Sequence, residues 1–361
     1  MRLTSLDNHG AALVIGIVSA LVVAMLYILM PNLISSWELS TYDLRMQLRG
    51  SVKLTSQLVI IARDDVSDEE IGVGIWNRQI FAKVIDALHR AGARVIALDF
   101  DFSQASPKER GGEASDQALI SAMRQSHTVF LPLQVTQEQE SETSVDRTFG
   151  LNASVFLEKG VSHRPSFLLD VPRVGQVFPP MSRFLSEANG IGHVAAIPDI
   201  DGGYRRTPAF VRSGDMIIPA MGVSLAAAYL GVRPETIELT PEKSLVFKGA
   251  IASDGMQRDL SIPVDPQGNV LLDYAGRWEG ETEYFPIIDV LNKIENEKDG
   301  IDGLRKTVQG KAVLIIHAAI EADKRRTPLE LKAPGGFILA NTFNTIVTER
   351  KLHLLPVWEQ W

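Results

Sequence analysis

Hydrophobic and polar positions follow one another along this chain with a changing period, and the period marks the elements. Ala11 to Met30 carries no charged residue over the length of a hydrocarbon core, and Pro31-Asn32 ends it, so one transmembrane helix is expected. Met30-Pro31-Asn32 is a poor cleavage site, which favours an anchor over a removed leader. Ile34 to Arg49 then sets Ile34, Trp37, Leu44 and Leu48 among polar residues at helical spacing and predicts a juxtamembrane helix. Gln57 to Ala62 reads as a strand. Gln79 to Arg90 reads as an amphipathic helix with Phe81, Val84, Ile85 and Leu88 inward, stopped at Gly92. A buried strand at Arg94 to Phe100, a helix from about Ala114 to Gln125 and a strand at Thr128 to Leu133 continue the alternation.

Gln134 to Arg147 is polar and acidic, as an exposed loop or insertion would be. A short helix at Pro179 to Glu187 is followed by strands at Gly192 to Ile197 and Tyr204 to Val211, joined as a hairpin by Asp199-Ile200-Asp201-Gly202-Gly203. Pro219 to Leu230 predicts a helix closed by Gly231, with short strands near Leu245 to Phe247 and Val270 to Tyr274. Lys311 to Ile316 is the final buried strand, and Pro334-Gly335-Gly336 opens a helix to about Thr348. The terminal Trp358-Glu359-Gln360-Trp361 has the composition of a segment returning to a membrane surface. Alternating strands and helices predict an α/β fold: a mixed, largely parallel sheet with flanking helices, preceded by the transmembrane helix. The expected plan is a cytoplasmic N-terminus at 1–10, the span at 11–30, a juxtamembrane segment at 31–56, one extracytoplasmic α/β domain at 57–356 and a membrane-proximal end at 357–361.

In an open parallel sheet, ligands sit outside the carboxyl ends of the strands. Asp64 and Asp65 close the first strand, Asp99 and Asp101 the second, and His317 follows the last, so these groups are candidates for one cleft. The competing expectation is that strand-end carboxylates cap the following helices or pair with nearby arginines. A metal held by Asp64, Asp99 and His317 is conceivable, but the spacing is not diagnostic. In Trp76-Asn77-Arg78, Asn77 can cap a helix, Trp76 offers an apolar face and Arg78 a fork for a carboxylate, either a ligand's or that of a neighbouring strand end. Gly72-Val73-Gly74 is an ordinary turn, since Asn77 stands where a dinucleotide loop needs its third glycine. The Asp199 to Gly203 turn lacks the remaining ligands of a calcium loop. No nucleophile elbow, phosphate-binding loop or zinc-protease motif occurs, so no catalytic residue, metal or cofactor is assigned and no enzyme is expected.

Composition adds three limits. Across 361 residues, 36 basic against 44 acidic side chains give a net charge of −8, which repels a phosphate backbone and argues against nucleic acid. The absence of cysteine excludes disulfides and thiolate sites and suits a domain folding in an oxidising compartment. Arg2 precedes the apolar run while no Lys or Arg occurs from Pro31 to Leu44, so the N-terminus is expected inside and the domain outside the inner (plasma) membrane.

From about Tyr42 to Trp358 the chain resembles the second family of CHASE-type domains, sensory extracellular domains associated with bacterial cyclases and histidine kinases. The likeness rests on Tyr42-Asp43-Leu44-Arg45, Ala62 to Ser67, Trp76 and Arg78, Ala91-Gly92-Ala93, Leu98-Asp99-Phe100 with Phe102, and Gly190-Ile191-Gly192-His193. It continues through Asp199 to Arg206, Ile218-Pro219-Ala220, Gly310-Lys311-Ala312-Val313, Asp323, Thr327-Pro328, Pro334-Gly335 and Ala340-Asn341. Three departures stand out: Arg63 where the family prefers an apolar residue, Ile75 and Asn77 in place of prolines around Trp76, and Ile316-His317 in place of Ile-Gly. The resemblance implies a membrane-anchored sensory domain that binds a small ligand or a protein partner and transmits a conformational signal. Its expected contacts are Asp64, Asp65, Trp76, Arg78, Asp99, Asp101, His317 and Asp323. A homo-oligomer, an assembly or scaffold subunit of a membrane complex, and an extracytoplasmic hydrolase using Asp64 and Asp99 are the other readings.

Overall fold

Aliphatic runs flanked by turn residues become the strands of one central sheet, as the computed structural model shows. It describes residues 8–29, 31–137, 171–350 and 352, apart from 215, 234–235, 241–243, 253 and 297–299, and only the backbone at 8, 9, 27, 28, 31–35 and 296. The expectations for Met30, for 138–147 and for Trp358 to Trp361 lie outside the described residues. Helices α1 (Asn8–Leu29) and α2 (Pro31–Arg49) lead into the domain. Strand β1 (Leu58–Arg63), helices α3 (Asp65–Ile71) and α4 (Gln79–Arg90), strand β2 (Val95–Leu98), helix α5 (Gly112–Ser126) and strand β3 (Val129–Gln137) follow. Then come β4 (Val174–Phe178), α6 (Ser182–Leu185), β5 (Gly190–His193), β6 (Arg206–Pro208), β7 (Phe210–Ser213), β8 (Met216–Pro219) and α7 (Met221–Tyr229). The remainder is β9 (Ile237–Leu239), β10 (Ser244–Ile251), β11 (Gln257–Pro263), β12 (Asn269–Leu271), β13 (Phe285–Pro286), α8 (Ile287–Asn296), α9 (Gly300–Val308), β14 (Ala312–His317), β15 (Lys324–Arg325), β16 (Ala333–Pro334) and α10 (Gly335–Val347).

The main sheet runs β13-β1-β14-β2-β3-β4, with β5 also on β3. Every pairing in it is parallel except β3 with β4, so the mixed, largely parallel α/β sheet is present. β1 and β2 are joined through α4 but are not neighbours: β14, from late in the chain, lies between them and places His317 beside Arg63. Residue alternation distributes β1, β2 and β14 over two cores, while Leu133 of β3, Val174 of β4 and Ile191 of β5 join a third with β7 and β8. Leu58, Ile60, Ala62, Leu314 and Ile316 pack toward α7, α10 and the antiparallel sheet of β9 to β11. Val59, Ile61, Ile96, Leu98, Val313 and Ile315 pack toward α4, α5, α8 and α9. The four predicted inward residues of α4 are all buried, and Gly92 follows its C-cap Ala91 at φ 86°, a backbone state that suits glycine.

Three expectations change. Asp199 to Gly203 does form a tight turn, with Gly202 N–H donating to Asp199 O at 2.8 Å, but the flanking strands do not pair as a hairpin. β5 adds to the main sheet, β6 pairs with β12 and β7 with β8, and Arg205, two residues past the turn, is drawn to three aspartates instead of into a ladder. Pro219 ends β8 and the helix starts at Met221. Among the described residues no helix is long and apolar enough to cross a membrane, so the span expected at Ala11 to Met30 is not shown as one.

Candidate functional site

The carboxyl ends of β1, β14 and β2 open into a cleft of about 720 Å3. Arg63, His317, Asp99 and Phe100 come from these strand ends, Ile75 and Trp76 from the turn before α4, and Asp323 and Arg325 from the segment between β14 and α10. Six of the eight predicted contacts line it: Trp76, Arg78, Asp99, Asp101, His317 and Asp323. Asp64 and Asp65 do not. Asp64 caps α3, its Oδ1 accepting from Ser67 N–H at 3.0 Å and from Ser67 Oγ at 2.6 Å, while Asp65 is exposed in the first turn of that helix. The bland expectation for strand-end carboxylates therefore holds at Asp64. With Asp64 so engaged, the trio Asp64, Asp99 and His317 is not assembled, and the described residues contain no group of three or more His, Cys, Asp or Glu that could hold a metal.

Most charges in the cleft already have partners. The Arg63 guanidinium donates to Asp68 Oδ1 at 2.6 Å and lies 4.1 Å above the Trp76 ring, so it fixes the indole by a cation–π contact. Arg78 is buried but pairs with Asp116 on α5 and donates to Gln104 O, not to a strand-end aspartate. Its backbone N–H donates to Ser115 Oγ, and Asn77 Oδ1 accepts from Gln79 N–H at 2.9 Å, so the Trp76-Asn77-Arg78 turn is pinned at each residue. Trp76 Nε1–H donates to Gly72 O, which turns the indole inward; the residue is 2% exposed and presents an edge of the wall. Arg325 pairs with Asp323 at 2.8 Å.

Asp99 differs from all of these. Among the described residues its half-buried carboxylate accepts no hydrogen bond and meets no cation, and it stands beside Asp323 at the start of α10. Burial, with the Asp323 charge adding to it, pushes its pKa up to about 7. Burial also raises Asp323, whose Oδ2 accepts from Gly335 N–H at 3.2 Å. Gly335 and Gly336 let the helix start approach this closely: a Cβ on Gly336 would lie 2.5 Å from Ile316 Cγ2 and 3.0 Å from Asp99 Oδ2. Asp101 is exposed at the rim and takes Ser103 N–H at 2.7 Å. His317 stacks on Phe100 with ring centroids 5.8 Å apart; burial, and then the Arg63 charge, push its pKa down to about 4, so it is a neutral wall.

Sequence reasoning missed Asp68, Asp116 and Arg325. Asp116 carried a signal: it shares the inward face of its helix with Leu119, Ile120 and Met123, where an acid needs a buried partner. Asp68 and Arg325 carried none, since nothing local distinguishes them from solvated charges. Two of the three departures noted in the sequence meet in space, because Arg63 and His317 are register neighbours on β1 and β14.

The profile of a family described as CHASE2 domain matches residues 18–361. No curated protein and no solved structure matches the chain.

Proposed function

The chain belongs to the CHASE2 domain family, a family of sensory extracellular domains, and from that premise we propose that its cleft takes a small organic cation, a protonated amine on an apolar or aromatic body. The observation that carries this is Asp99, a carboxylate without partner among the described residues, in a cleft whose other buried charges are already paired. An ammonium group supplies the missing charge and donors, and the half-buried Phe100 and His317 offer apolar contact to the body of the ligand beside the edge of Trp76. We read the carboxylates as recognition groups and not as an acid and base, because Asp64, the partner a hydrolase would need for Asp99, is engaged in capping.

The signal, in this reading, leaves through the segment between β14 and β16. Asp323 touches the cleft, and three residues on Arg326 lies 3.9 Å from Asp43 of α2 while its carbonyl accepts from Tyr204 N–H at 2.8 Å. Gln47 of α2 donates to Pro328 O at 3.0 Å. A ligand that bonds Asp99 and Asp323 favours one position of this segment, and only such differential affinity shifts α2. We further read α1 as the anchor in a membrane, with the domain outside: it is a helix of 22 residues without Asp, Glu, Lys or Arg, and its described apolar side chains, Leu13, Ile15, Leu21 and Met25 among them, are exposed.

The test is calorimetric titration of the full chain in detergent with a panel of primary amines and matched carboxylates. Amine binding that disappears in a folded Asp99→Asn variant supports the reading. Binding confined to carboxylates, or amine binding unchanged by Asp99→Asn, overturns it.

A further inference from the structure

Two carboxylates meet at the start of α10, and among the described residues only one of them has a counter-ion. Asp99 stands against Gly336, where a Cβ would lie 3.0 Å from its Oδ2, and Asp323 stands against Gly335, whose N–H donates to Asp323 Oδ2 at 3.2 Å. The charge of Asp323 is felt at Asp99, so the two form one electrostatic unit on the cleft wall. Arg325 answers half of it, with its guanidinium 2.8 Å from Asp323 Oδ1, while Lys324 Nζ donates to Ala318 O at 2.7 Å. The remaining contacts of Arg325 are local or weak. It donates to Ala322 O at 3.0 Å and to Lys324 O at 3.2 Å, inside its own segment, and lies 5.8 Å from the centroid of the Tyr204 ring. An ion pair whose side chains are 27% and 36% exposed adds little to the stability of a fold. Arg325 does line the cleft, and its charge therefore acts chiefly on what enters there.

We propose that Arg325 is a specificity-determining residue: by occupying Asp323 it holds the cleft to ligands with one positive charge and rejects diamines. The inference rests on the reading of Asp99 as the site of an amine. Asp99 and Asp323 carry two negative charges against the one positive charge of Arg325, which leaves one charge for one ammonium group. The other charges of the cleft do not alter this count. Arg63 pairs with Asp68 and Arg78 with Asp116, and Asp101 is exposed at the rim, where solvent and salt screen it. A second ammonium group on the same ligand would have to displace Arg325 from Asp323. Arg325 is tethered two residues from that carboxylate and so competes for it at high effective concentration. The incoming cation also meets a like charge in a half-buried site, and such repulsion is a means of rejecting the wrong partner.

Hexylamine and hexamethylenediamine share one carbon chain and differ by one charge, and calorimetric titration of the full chain in detergent at pH 8, where Asp99 is ionised, gives the ratio of their affinities. The parent and Arg325→Lys are expected to favour hexylamine. Arg325→Gln keeps a donor for Ala322 O without the charge and should shift the ratio at least tenfold toward the diamine. Asp323→Asn/Arg325→Gln again leaves a single charge at Asp99 and should shift the ratio back. A parent that binds the diamine more tightly overturns the proposal, as does a ratio unchanged in folded Arg325→Gln. A ratio in the double variant equal to that in Arg325→Gln overturns it too, since the gain would then come from space and not from charge. These failures leave hexylamine binding, and its loss in Asp99→Asn, untouched, whereas a parent that binds no hexylamine overturns the reading of Asp99 as well.

Discussion

Replacing Asp99 by Asn tests the site without any ligand. The folded chain holds the Asp99 proton up to about pH 7, whereas an unfolded carboxyl releases it near 3.8. Between those values the folded state binds more protons, so this group's contribution is fully present below pH 3.8 and is lost as pH rises through about 7. At 1.36 kcal/mol for each pH unit between the two pKa values, the loss reaches about 4 kcal/mol. Asn mimics the protonated carboxyl at every pH, so Asp99→Asn is expected to match the parent near pH 4 and to exceed its stability by up to about 4 kcal/mol at pH 8. The parent's own profile hides this effect. His317 and His193, held down to about 4 and about 3, contribute stability that is present above their ordinary 6.5 and is lost as pH falls through those values, in the opposite sense. The readout is therefore the difference between variant and parent in urea unfolding of the full chain at pH 4.5, 6, 7 and 8. A difference that stays constant across that range refutes the account of Asp99 as a half-buried, unpaired carboxylate.

The remaining expectations concern the same framework. Amine affinity should rise up to tenfold per pH unit toward pH 7, level off above it and become pH-independent in Asp99→Asn, as read by calorimetry. Arg205→Met leaves Asp43 and Asp201 with only the long contacts to Arg326, and Asp199 with Arg206, around a site that is 1% exposed in the parent; about 3–5 kcal/mol is lost in urea unfolding, and hydrogen exchange along α2 accelerates. Arg78→Ala leaves buried Asp116 with only Arg183 and the Ser106 N–H and should cost stability by a similar ~3–5 kcal/mol, which marks Arg78 as part of the frame and not as a ligand contact; unchanged stability would reverse that assignment. Gly336→Ala forces Ile316 aside and should cost about 1–3 kcal/mol by the same assay.

The parts of this fold that were legible in the sequence are those whose burial follows a local period. Val84, Ile85 and Leu88 announce α4, and the aliphatic runs announce β1 and β14. Strand ends were legible as well, and that was enough to bring Asp99, Asp101 and His317 to one edge. What the sequence hid is the order of the strands: no local signal says that β14, more than two hundred residues downstream, separates β1 from β2. That insertion decides the site, because it sets His317 against Phe100 and Arg63 and brings the segment carrying Asp323 over the cleft. The failed hairpin has the same origin. A turn rich in Asp and Gly predicts paired strands only when its side chains are free, and here Asp199 and Asp201 are held by Arg205 together with Asp43 of a helix over 150 residues earlier.

Both long-range groups converge on α2, and their chemistry assigns them different tasks. The Arg205 cluster is buried and multiply bonded, and burial of its charge is outweighed by the hydrogen bonds it donates to Asp201 and Asp43, so it holds α2 without yielding easily. The Arg326 contacts to Asp43 and Asp201, at 3.9 and 3.8 Å, are long and half exposed, and such a pair is worth at most about 1 kcal/mol. Under the proposed ligand-binding reading, a movement starting at Asp323 would meet little resistance at Arg326 and much at Arg205, so that Arg205 would act as a pivot for α2 and Arg326 as the contact a ligand makes or breaks.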